Sequence, residues 1–411
     1  MAVIRPFCAV RPAVEYADKV AALPYDVYNR AEAKKEVERE PLSFLAIDRA
    51  ETQFEDSVSV YAPEVYAKAK ELFEERISQG IFIEDKQSAY YIYQLEMNGR
   101  TQTGIAACAS VDDYLDGTIK KHENTREEKE QDRIRHVDTL SAQTGPIFLA
   151  YRSQATINQL VSKIMETQEP LYDFTAADGI AHRMWKVTEE AVTTLQEAFA
   201  GIQEIYIADG HHRAASAVKV GLKRRKEHSD YDGTEEFNYF LSVLFPDDQL
   251  MIMDYNRCVK DLHGLTKEAF LKAVEECFDV TVLDGAKHPQ AKGQITMYLE
   301  NRWYLLQAKQ ELLAITDPVA ALDVSLLQEY LLKPVLGIED PRTDERIDFI
   351  GGIRGLEELE RRVQTDMTVA FAMYPTSIGE LFAVADAGLL MPPKSTWFEP
   401  KLRSGLLMHR I

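Results

Sequence analysis

Apolar and polar positions alternate with two different periods in the first quarter of the chain. Residues 63–79 repeat apolar side chains at helical spacing, begin with Pro63 and end before Gly80, which predicts an amphipathic helix. Residues 89–95 and 101–110 are instead rich in β-branched and aromatic side chains and flank Asn98-Gly99, the strongest short hairpin signal. The pattern therefore predicts helices packed against a sheet.

The same alternation continues to the end of the chain. Strands are predicted over residues 147–151, 183–187, 205–208, 239–245, 250–255, 295–299, 303–307 and 369–373, and helices over residues 157–167, 189–200, 266–278 and 322–332. Residues 239–245 and 250–255 are expected to pair as a hairpin. This mixture indicates an α+β protein with three regions: residues 1–110, a core at 111–260, and residues 261–411.

One stretch, I-Y-I-A-D-G-H-H-R-A-A at residues 205–215, carries the clearest chemical signal. A short apolar strand ends at Asp209-Gly210, and a helix begins at His211. The N-terminus of a helix presents unpaired N–H groups and a positive dipole end, so it attracts anions. The cations of Arg213 and of protonated His211 and His212 oppose that dipole unless an anion lies between them. The stretch thus predicts a phosphate site.

Two other interpretations of this stretch stay open at the level of sequence. Strand–turn–helix junctions are common, and the four letters G-H-H-R are few enough to occur by chance. A zinc site is a further alternative, although adjacent histidines on a helix point about 100° apart and share a metal poorly. Asp209 is either a magnesium ligand or a helix cap, because Asp suits both roles.

Residues 111–140 are densely charged and contain few core residues. On a helix, His122, Arg126, Lys129 and Arg133 fall in one stripe at spacings of four, three and four residues. The ordinary interpretation is a solvated helix with ion pairs. The segment leads directly into Gly145-Pro146 and a strand, however, so a basic stripe facing a phosphate site is the alternative that we favour.

The order of these motifs resembles the ParB/sulfiredoxin superfamily, and within it the free-serine kinases. His122-Glu123, residues 145–148 (G-P-I-F) and A-D-G-H-H-R-A-A follow one another as in those kinases. The resemblance implies a ParB/sulfiredoxin-like core in which Glu123 takes the proton of the serine hydroxyl. The gap from Pro146 to Asp209 is far longer here, which implies an insertion between paired elements.

The whole chain further resembles a bacterial family known as domain of unknown function ten-fifteen. The matching motifs are R-P-F at residues 5–7, P-Y-D-V at residues 24–27 and P-P-K-S-T-W-F-E-P-K at residues 392–401. The P-Y-D-V loop places an aromatic ring next to a carboxylate, which suits a pocket wall as well as a surface turn.

Composition limits the partners of the protein. The formal net charge of −20 repels nucleic acid over most of the surface, and the one dense basic run, residues 223–226, lies where a helix end favours cations. No apolar run approaches the ~20 residues that span a bilayer. The four cysteines lack C-x-x-C spacing and lie in apolar surroundings, so we expect reduced core thiols and a cytoplasmic location.

These observations predict a small-molecule kinase that uses ATP or ADP with Mg²⁺. The acceptor is a hydroxyl compound, with L-serine first among the candidates. Catalysis is assigned to Glu123, His122 and Asp209, with Asp209 also holding the metal, and nucleotide binding to Gly210, His211, His212, Arg213, Arg126, Lys129 and Arg133. The alternative is a ParB-like nucleotide-binding regulator, and a DNA-binding module is a third interpretation that the negative charge opposes.

Overall fold

The computed structural model of the chain describes all 411 residues. Its strands are β1 (Ile4–Arg5), β2 (Ala9–Pro12), β3 (Phe82–Glu84), β4 (Tyr91–Met97), β5 (Arg100–Ser110), β6 (Ile119–Lys120), β7 (Ala142–Gln143), β8 (Ile147–Tyr151), β9 (Tyr172–Thr175), β10 (Ala181–Lys186), β11 (Ile205–Asp209), β12 (Tyr239–Pro246), β13 (Ile252–Met253), β14 (Tyr255–Val259), β15 (Phe278–Leu283), β16 (Gln294–Leu299), β17 (Arg302–Ala308), β18 (Ile347–Gly351), β19 (Val369–Met373), β20 (Trp397–Phe398) and β21 (Met408–Arg410). Its α-helices are α1 (Ala17–Val20), α2 (Arg30–Arg39), α3 (Leu45–Asp48), α4 (Pro63–Ser78), α5 (Val111–Asp116), α6 (Glu127–Leu140), α7 (Ala155–Thr167), α8 (Glu189–Ala200), α9 (His211–Glu227), α10 (Lys267–Val274), α11 (Gln310–Leu313), α12 (Asp323–Leu327), α13 (Gly355–Thr365) and α14 (Ile378–Asp386). Helices pack with sheets whose strands pair mostly antiparallel, which confirms the α+β class.

The chain divides into two compact units rather than the three predicted regions. The first unit comprises Met1–Leu250 and Pro400–Ile411, and the second comprises Met251–Glu399. The boundary predicted after residue 110 fails because β5 and β12, on opposite sides of it, are neighbouring strands of one sheet. Burying both faces of that sheet requires residues from both predicted regions, so they fold as one unit.

A mixed sheet forms the centre of the first unit. Its strand order is β6-β11-β8-β12-β5-β4-β10-β9, and β1 pairs with β5 at one end of that strand. The hairpin β4–β5 turns at Asn98 and Gly99, whose positive φ angles of 53° and 75° suit the predicted turn. Helices α7, α8 and α9 contribute apolar residues to the core on this sheet, among them Ile157, Leu195 and Ala214.

The topology brings three segments to one edge of this sheet. Strands β6 and β11 are parallel neighbours, so their carboxyl ends meet there. Strand β8 runs antiparallel to β11 with Phe148 opposite Asp209, so the start of β8 lies at the same edge. The residues after β6, the residues after β11 and the residues before β8 are therefore close in space.

The long gap between Pro146 and Asp209 contains two helices and two strands. Strands β8 and β11 pair directly, and α7, β9, β10 and α8 lie between them in the chain. The β9–β10 pair adds to the far end of the sheet beside β4. The intervening segment thus extends the sheet without separating the two strands that form the edge described above.

A second, smaller sheet and a helical layer complete the first unit. Its strand order is β3-β2-β21-β7, so the last strand of the chain joins the first residues of the unit. Helices α3 and α4 pack around Phe44, Phe73 and Phe82, which are fully buried. In these layers α4 packs against α6, the helix that follows β6 and the loop after it.

The second unit is built on a six-stranded antiparallel sheet with the order β15-β17-β16-β19-β14-β18. The hairpin predicted for residues 239–245 and 250–255 is wrong, because β12 pairs with β5 and β8 while β13 pairs with β20. The apolar character of β12 reflects burial in the middle of a sheet and not a hairpin partner. Strands β16 and β17 pair as a hairpin, and the side chain of Thr266 caps α10 by accepting a hydrogen bond from the Ala269 N–H.

Several surface expectations also have structural outcomes. The basic run at residues 223–226 ends α9, where Lys223 and Arg224 pair with Asp138 and Arg225 pairs with Asp112. The four cysteines are free, but the prediction that they lie in the core is wrong for two of them: Cys8 is exposed, because its neighbours Phe7 and Ala9 are the residues that are buried, and Cys277 is half-buried. No helix combines the length and the apolar character needed to cross a membrane.

Candidate functional site

The junction of β11 and α9 has the geometry that the sequence predicts. Gly210 adopts φ 93°, which a side chain would strain, and it is the N-cap residue of the 17-residue helix α9. No side chain caps this helix. Asp209 is not the cap, because its Oδ1 accepts a hydrogen bond from the adjacent Gly210 N–H, at 2.8 Å. The N-terminal dipole of a long helix is therefore left for another group.

Asp209 lies between two cations. Its Oδ2 is 3.4 Å from Nζ of Lys401 and 3.9 Å from the guanidinium of Arg213. Burial raises the pKa of Asp209, but Lys401 and Arg213 outweigh that effect and hold the pKa well below its ordinary value. A Mg²⁺ ion bound here would lie beside both cations. The two cations already neutralise this carboxylate, which lowers its attraction for a metal ion, and the magnesium role of Asp209 stays a prediction.

Arg213 covers the turn and joins it to the start of β8. Its Nη1 donates a hydrogen bond to the carbonyl oxygen of Pro146. The guanidinium lies so close to Gly210 that a Cβ atom there would be 3.1 Å from it, whereas a Cβ atom at Gly145 would be in ordinary contact with the same side chain, at 3.5 Å. The glycine at position 210 therefore makes room for the guanidinium over the turn. Arg213 is thus the predicted site residue that links two of the three edge segments.

His211 lies buried between His122 and Glu123. The rings of His211 and His122 meet edge to face with centroids 4.5 Å apart, and Nδ1 of His211 is 3.9 Å from Oε2 of Glu123. Burial lowers the pKa of His122 to about 4, and burial followed by the His122 ring holds the pKa of His211 well below its ordinary value. The structure therefore brings Glu123 to the first turn of α9, with two neutral imidazoles beside it.

The second histidine of the motif contacts the same loop. Nε2 of His212 accepts a hydrogen bond from the backbone N–H of Arg126 at 2.9 Å. Burial, and then the charge of Lys129, lowers the pKa of His212. Both histidines are therefore neutral acceptors, and the repulsion between imidazolium and helix dipole that the sequence suggested is absent. Arg213 alone supplies a cation from the G-H-H-R motif.

The predicted basic stripe does not form as a single helical face. Helix α6 begins at Glu127, so His122 lies in the preceding loop and Arg126 is the residue before the helix. Lys129 is exposed, whereas Arg133 is buried with its guanidinium 4.0 Å from the centre of the Tyr25 ring. The helix starts late because the loop is held by contacts with α9, which sequence spacing cannot reveal.

Two adjoining cavities lie next to this edge. One, of about 200 Å³, is bounded by the P-Y-D-V loop, α3, α4 and α6. The other, of about 30 Å³, reaches Gly145 and Arg213. Four residues line both cavities: Tyr25, Asp48, Arg133 and His136. The P-Y-D-V loop is thus a pocket wall. The larger cavity adjoins the smaller one, whose lining includes Arg213, because the two share these four residues. Glu123 lines neither cavity.

The buried polar groups between these cavities are mutually satisfied. Asp48 accepts a hydrogen bond from the Thr144 hydroxyl at 2.8 Å, and Arg133 pairs with Asp132 at 2.8 Å. Burial lowers the pKa of His136 to about 4. In contrast, Nδ1 of His122 is buried without a hydrogen-bond partner. An unpaired buried polar atom in a native protein calls for an explanation such as a bound water or ligand.

Lys401 is the site residue that the sequence analysis missed. It is the last residue of the P-P-K-S-T-W-F-E-P-K motif and lies 192 positions from Asp209. The sequence signal that could have identified Lys401 is the motif itself, because the motif ends in a positive charge in a protein whose net charge is −20.

We expect Lys401→Met to weaken nucleotide binding about 10-fold, since one charge-assisted contact of roughly 1.5 kcal/mol is lost. Isothermal titration calorimetry with ATP and ADP measures this change. Lys226→Met, an exposed lysine near the other end of α9, is the matched control and leaves the affinity within twofold, roughly 0.4 kcal/mol. Equal affinities for the Lys401→Met and wild-type proteins would remove Lys401 from the site.

Comparison with known families gives one extended match. A family model described as "Protein of unknown function (DUF1015)" matches residues 4–325 of the chain. No curated protein matches the chain significantly.

Solved structures give distant matches. A free serine kinase in complex with AMP is 14% identical, covers 73% of this chain and 91% of its own, and has a TM-score of 0.35. A conserved hypothetical protein from Pyrococcus furiosus is 14% identical at a TM-score of 0.35 and covers 74% of this chain and 94% of its own. SbnI from Staphylococcus aureus, with a C-terminal truncation, is 12% identical at a TM-score of 0.39. The match covers 73% of this chain and 87% of the SbnI chain. At these scores the likeness carries no argument.

Proposed function

This chain belongs to the family of proteins of unknown function DUF1015, and from that premise we propose that it is a small-molecule kinase. The donor is ATP or ADP, and the acceptor is a hydroxyl compound, L-serine first. The observation that carries the proposal is the meeting of Glu123 with the uncapped first turn of α9, at 3.9 Å from His211. A carboxylate next to an anion site supplies two of the parts that phosphoryl transfer to a hydroxyl group uses, a base for the hydroxyl and a binding site for the phosphate.

The phosphate end of the donor is assigned to the edge formed by Gly210, Arg213 and Lys401. The helix N-terminus supplies backbone N–H groups, and the two cations supply the charge neutralisation that phosphoryl transfer requires. The guanidinium of Arg213 suits bidentate contact with phosphate oxygens. Because both cations already contact Asp209, that carboxylate fixes their positions before a ligand arrives.

The acceptor is assigned to the cavity of about 200 Å³ beside this edge. Its wall carries both signs of charge, with Arg133 and Arg49 near Asp48 and Glu51. A small zwitterion such as an amino acid finds a partner there for its ammonium group and another for its carboxylate. Glu123 is half-exposed and lies outside the lining of this cavity, so the proposal requires the acceptor hydroxyl to project from the cavity toward the neighbouring edge, where Glu123 takes its proton as general base.

The direct test is product formation by the purified full-length chain. Incubation with ATP or ADP and L-serine in magnesium buffer is expected to yield O-phosphoserine, detected by mass spectrometry. L-Alanine, which lacks the hydroxyl group, is the matched control and yields none. Nucleotide binding without a phosphorylated product from any of a panel of small hydroxyl compounds would overturn the kinase proposal and favour a nucleotide-binding regulator.

A further inference from the structure

Residues 121–126 form a short loop that carries Glu123 between β6 and α6. The loop has no helix or strand of its own. Two of its backbone N–H groups donate to imidazoles of α9: His122 N–H to Nε2 of His211 over 3.5 Å, and Arg126 N–H to Nε2 of His212 over 2.9 Å. These donors lie on either side of Glu123, so the histidines hold both flanks of the segment.

An imidazole nitrogen accepts a hydrogen bond only when it carries no proton. The two contacts therefore assign Nδ1–H tautomers to His211 and His212. In His211 this tautomer directs the Nδ1 proton toward Oε2 of Glu123, 3.9 Å away. One imidazole thus accepts from the loop backbone with one nitrogen and faces the loop carboxylate with the other.

We propose that the His-His pair of the motif is a latch that holds the Glu123 loop on α9, so that His211 and His212 are positioning residues for that carboxylate. The inference rests on the proposed function for its catalytic consequence, but the latch itself is a structural property. It gives the two histidines a role different from the phosphate contact that the sequence suggested. Their neutral, accepting state fits the latch and does not fit charge neutralisation of a phosphate.

Protonation is expected to open the latch. A proton on Nε2 of His212 turns the acceptor into a donor that faces the Arg126 N–H, and the contact becomes repulsive. The charged groups facing His212 are Lys129, Asp26, Glu130 and Arg126, and burial together with Lys129 lowers its pKa. The latch is therefore intact above the ordinary histidine pKa and is lost as the pH falls through the lowered value.

The experiment compares His212→Gln with His212→Ala, because the Oε1 atom of glutamine can replace the accepting Nε2 and alanine cannot. Amide hydrogen exchange of residues 121–126 is measured by mass spectrometry in the full-length protein. We expect exchange in His212→Ala to be at least about 10-fold faster, corresponding to roughly 1.4 kcal/mol, with His212→Gln close to wild type. His228→Gln, an exposed histidine just after the same helix, is the control and leaves exchange unchanged.

Kinetics give a second, separate readout. In His212→Ala we expect kcat to fall about 10-fold and KM for the nucleotide to change less than threefold, because only the carboxylate is misplaced. His212→Gln restores kcat and removes the loss of kcat at acid pH. Unchanged loop exchange in His212→Ala, or equal exchange in the Ala and Gln variants, would overturn the latch. Altered exchange in a protein without kinase activity would retain the latch and reject the proposed function.

Discussion

Replacing Arg213 by alanine is expected to weaken the binding of ATP and ADP about 100-fold, or roughly 3 kcal/mol. This is the largest expected effect on affinity. The guanidinium covers Gly210 and joins the turn to Pro146, so its loss removes both the bidentate phosphate contact and the bridge between two edge segments. Calorimetric titration of the purified variant with each nucleotide measures the change.

Two further variants separate charge from geometry at this position. Arg213→Lys keeps one positive charge but loses the planar fork, so its affinity falls between those of wild type and Arg213→Ala. Arg224→Ala removes an arginine from the last turn of the same helix, where it pairs with Asp138, and leaves nucleotide affinity unchanged. Wild-type affinity in Arg213→Ala would show that the phosphate assignment is incorrect.

Replacing Glu123 by glutamine is expected to reduce kcat about 10²-fold to 10⁴-fold, which is the usual contribution of a general base. Glutamine has nearly the same shape as glutamate but cannot take a proton from the acceptor. Because Glu123 lines neither the Arg213 cavity nor the larger one, the dissociation constant of the nucleotide is expected to change less than twofold, roughly 0.4 kcal/mol. Steady-state kinetics with L-serine as the proposed acceptor, together with nucleotide titration, measures both quantities.

The matched control for that change is Glu127→Gln, a carboxylate in the first turn of α6. It removes the same charge from the same acidic segment and leaves kcat unchanged. If Glu123→Gln turns over at the wild-type rate, Glu123 has no role as base. If Glu123→Gln and Glu127→Gln slow turnover equally, the effect is one of overall charge.

The junction at Gly210 is predictable from sequence because its signals are local. A buried apolar strand, a glycine in the left-handed region and a helix that begins at the next residue all lie within residues 205–215. That Glu123 lies close to this junction is predictable only from the order of the motifs along the chain. The residues of β6 and β11 do not by themselves indicate that these strands are parallel neighbours. Local sequence signals therefore predict the turn at Gly210, whereas the assembly of the site depends on how β6 and β11 pair in the sheet.

The two errors at the site, the predicted stripe and the missed lysine, have one physical origin, which is contact between residues far apart in the chain. The predicted stripe of His122, Arg126, Lys129 and Arg133 assumed a helix, but a hydrogen bond to His212, 86 positions away, holds Arg126 outside it. Lys401 reaches Asp209 across 192 positions. Local periodicity contains no information about either contact, so neither the loop nor the second cation could be derived from spacing.

The return of the chain to its first unit has a consequence for how the protein is made. Strand β21 inserts between β2 and β7, and Lys401 precedes it, so the first unit lacks a strand and a cation until residues 400–411 have been synthesised. A fragment cut at the limits of the family match, residues 4–325, would also lack β18 and β19 of the six-stranded sheet in the second unit. Nascent chains of this protein should therefore expose an unfinished sheet to chaperones until residues 400–411 have left the ribosome.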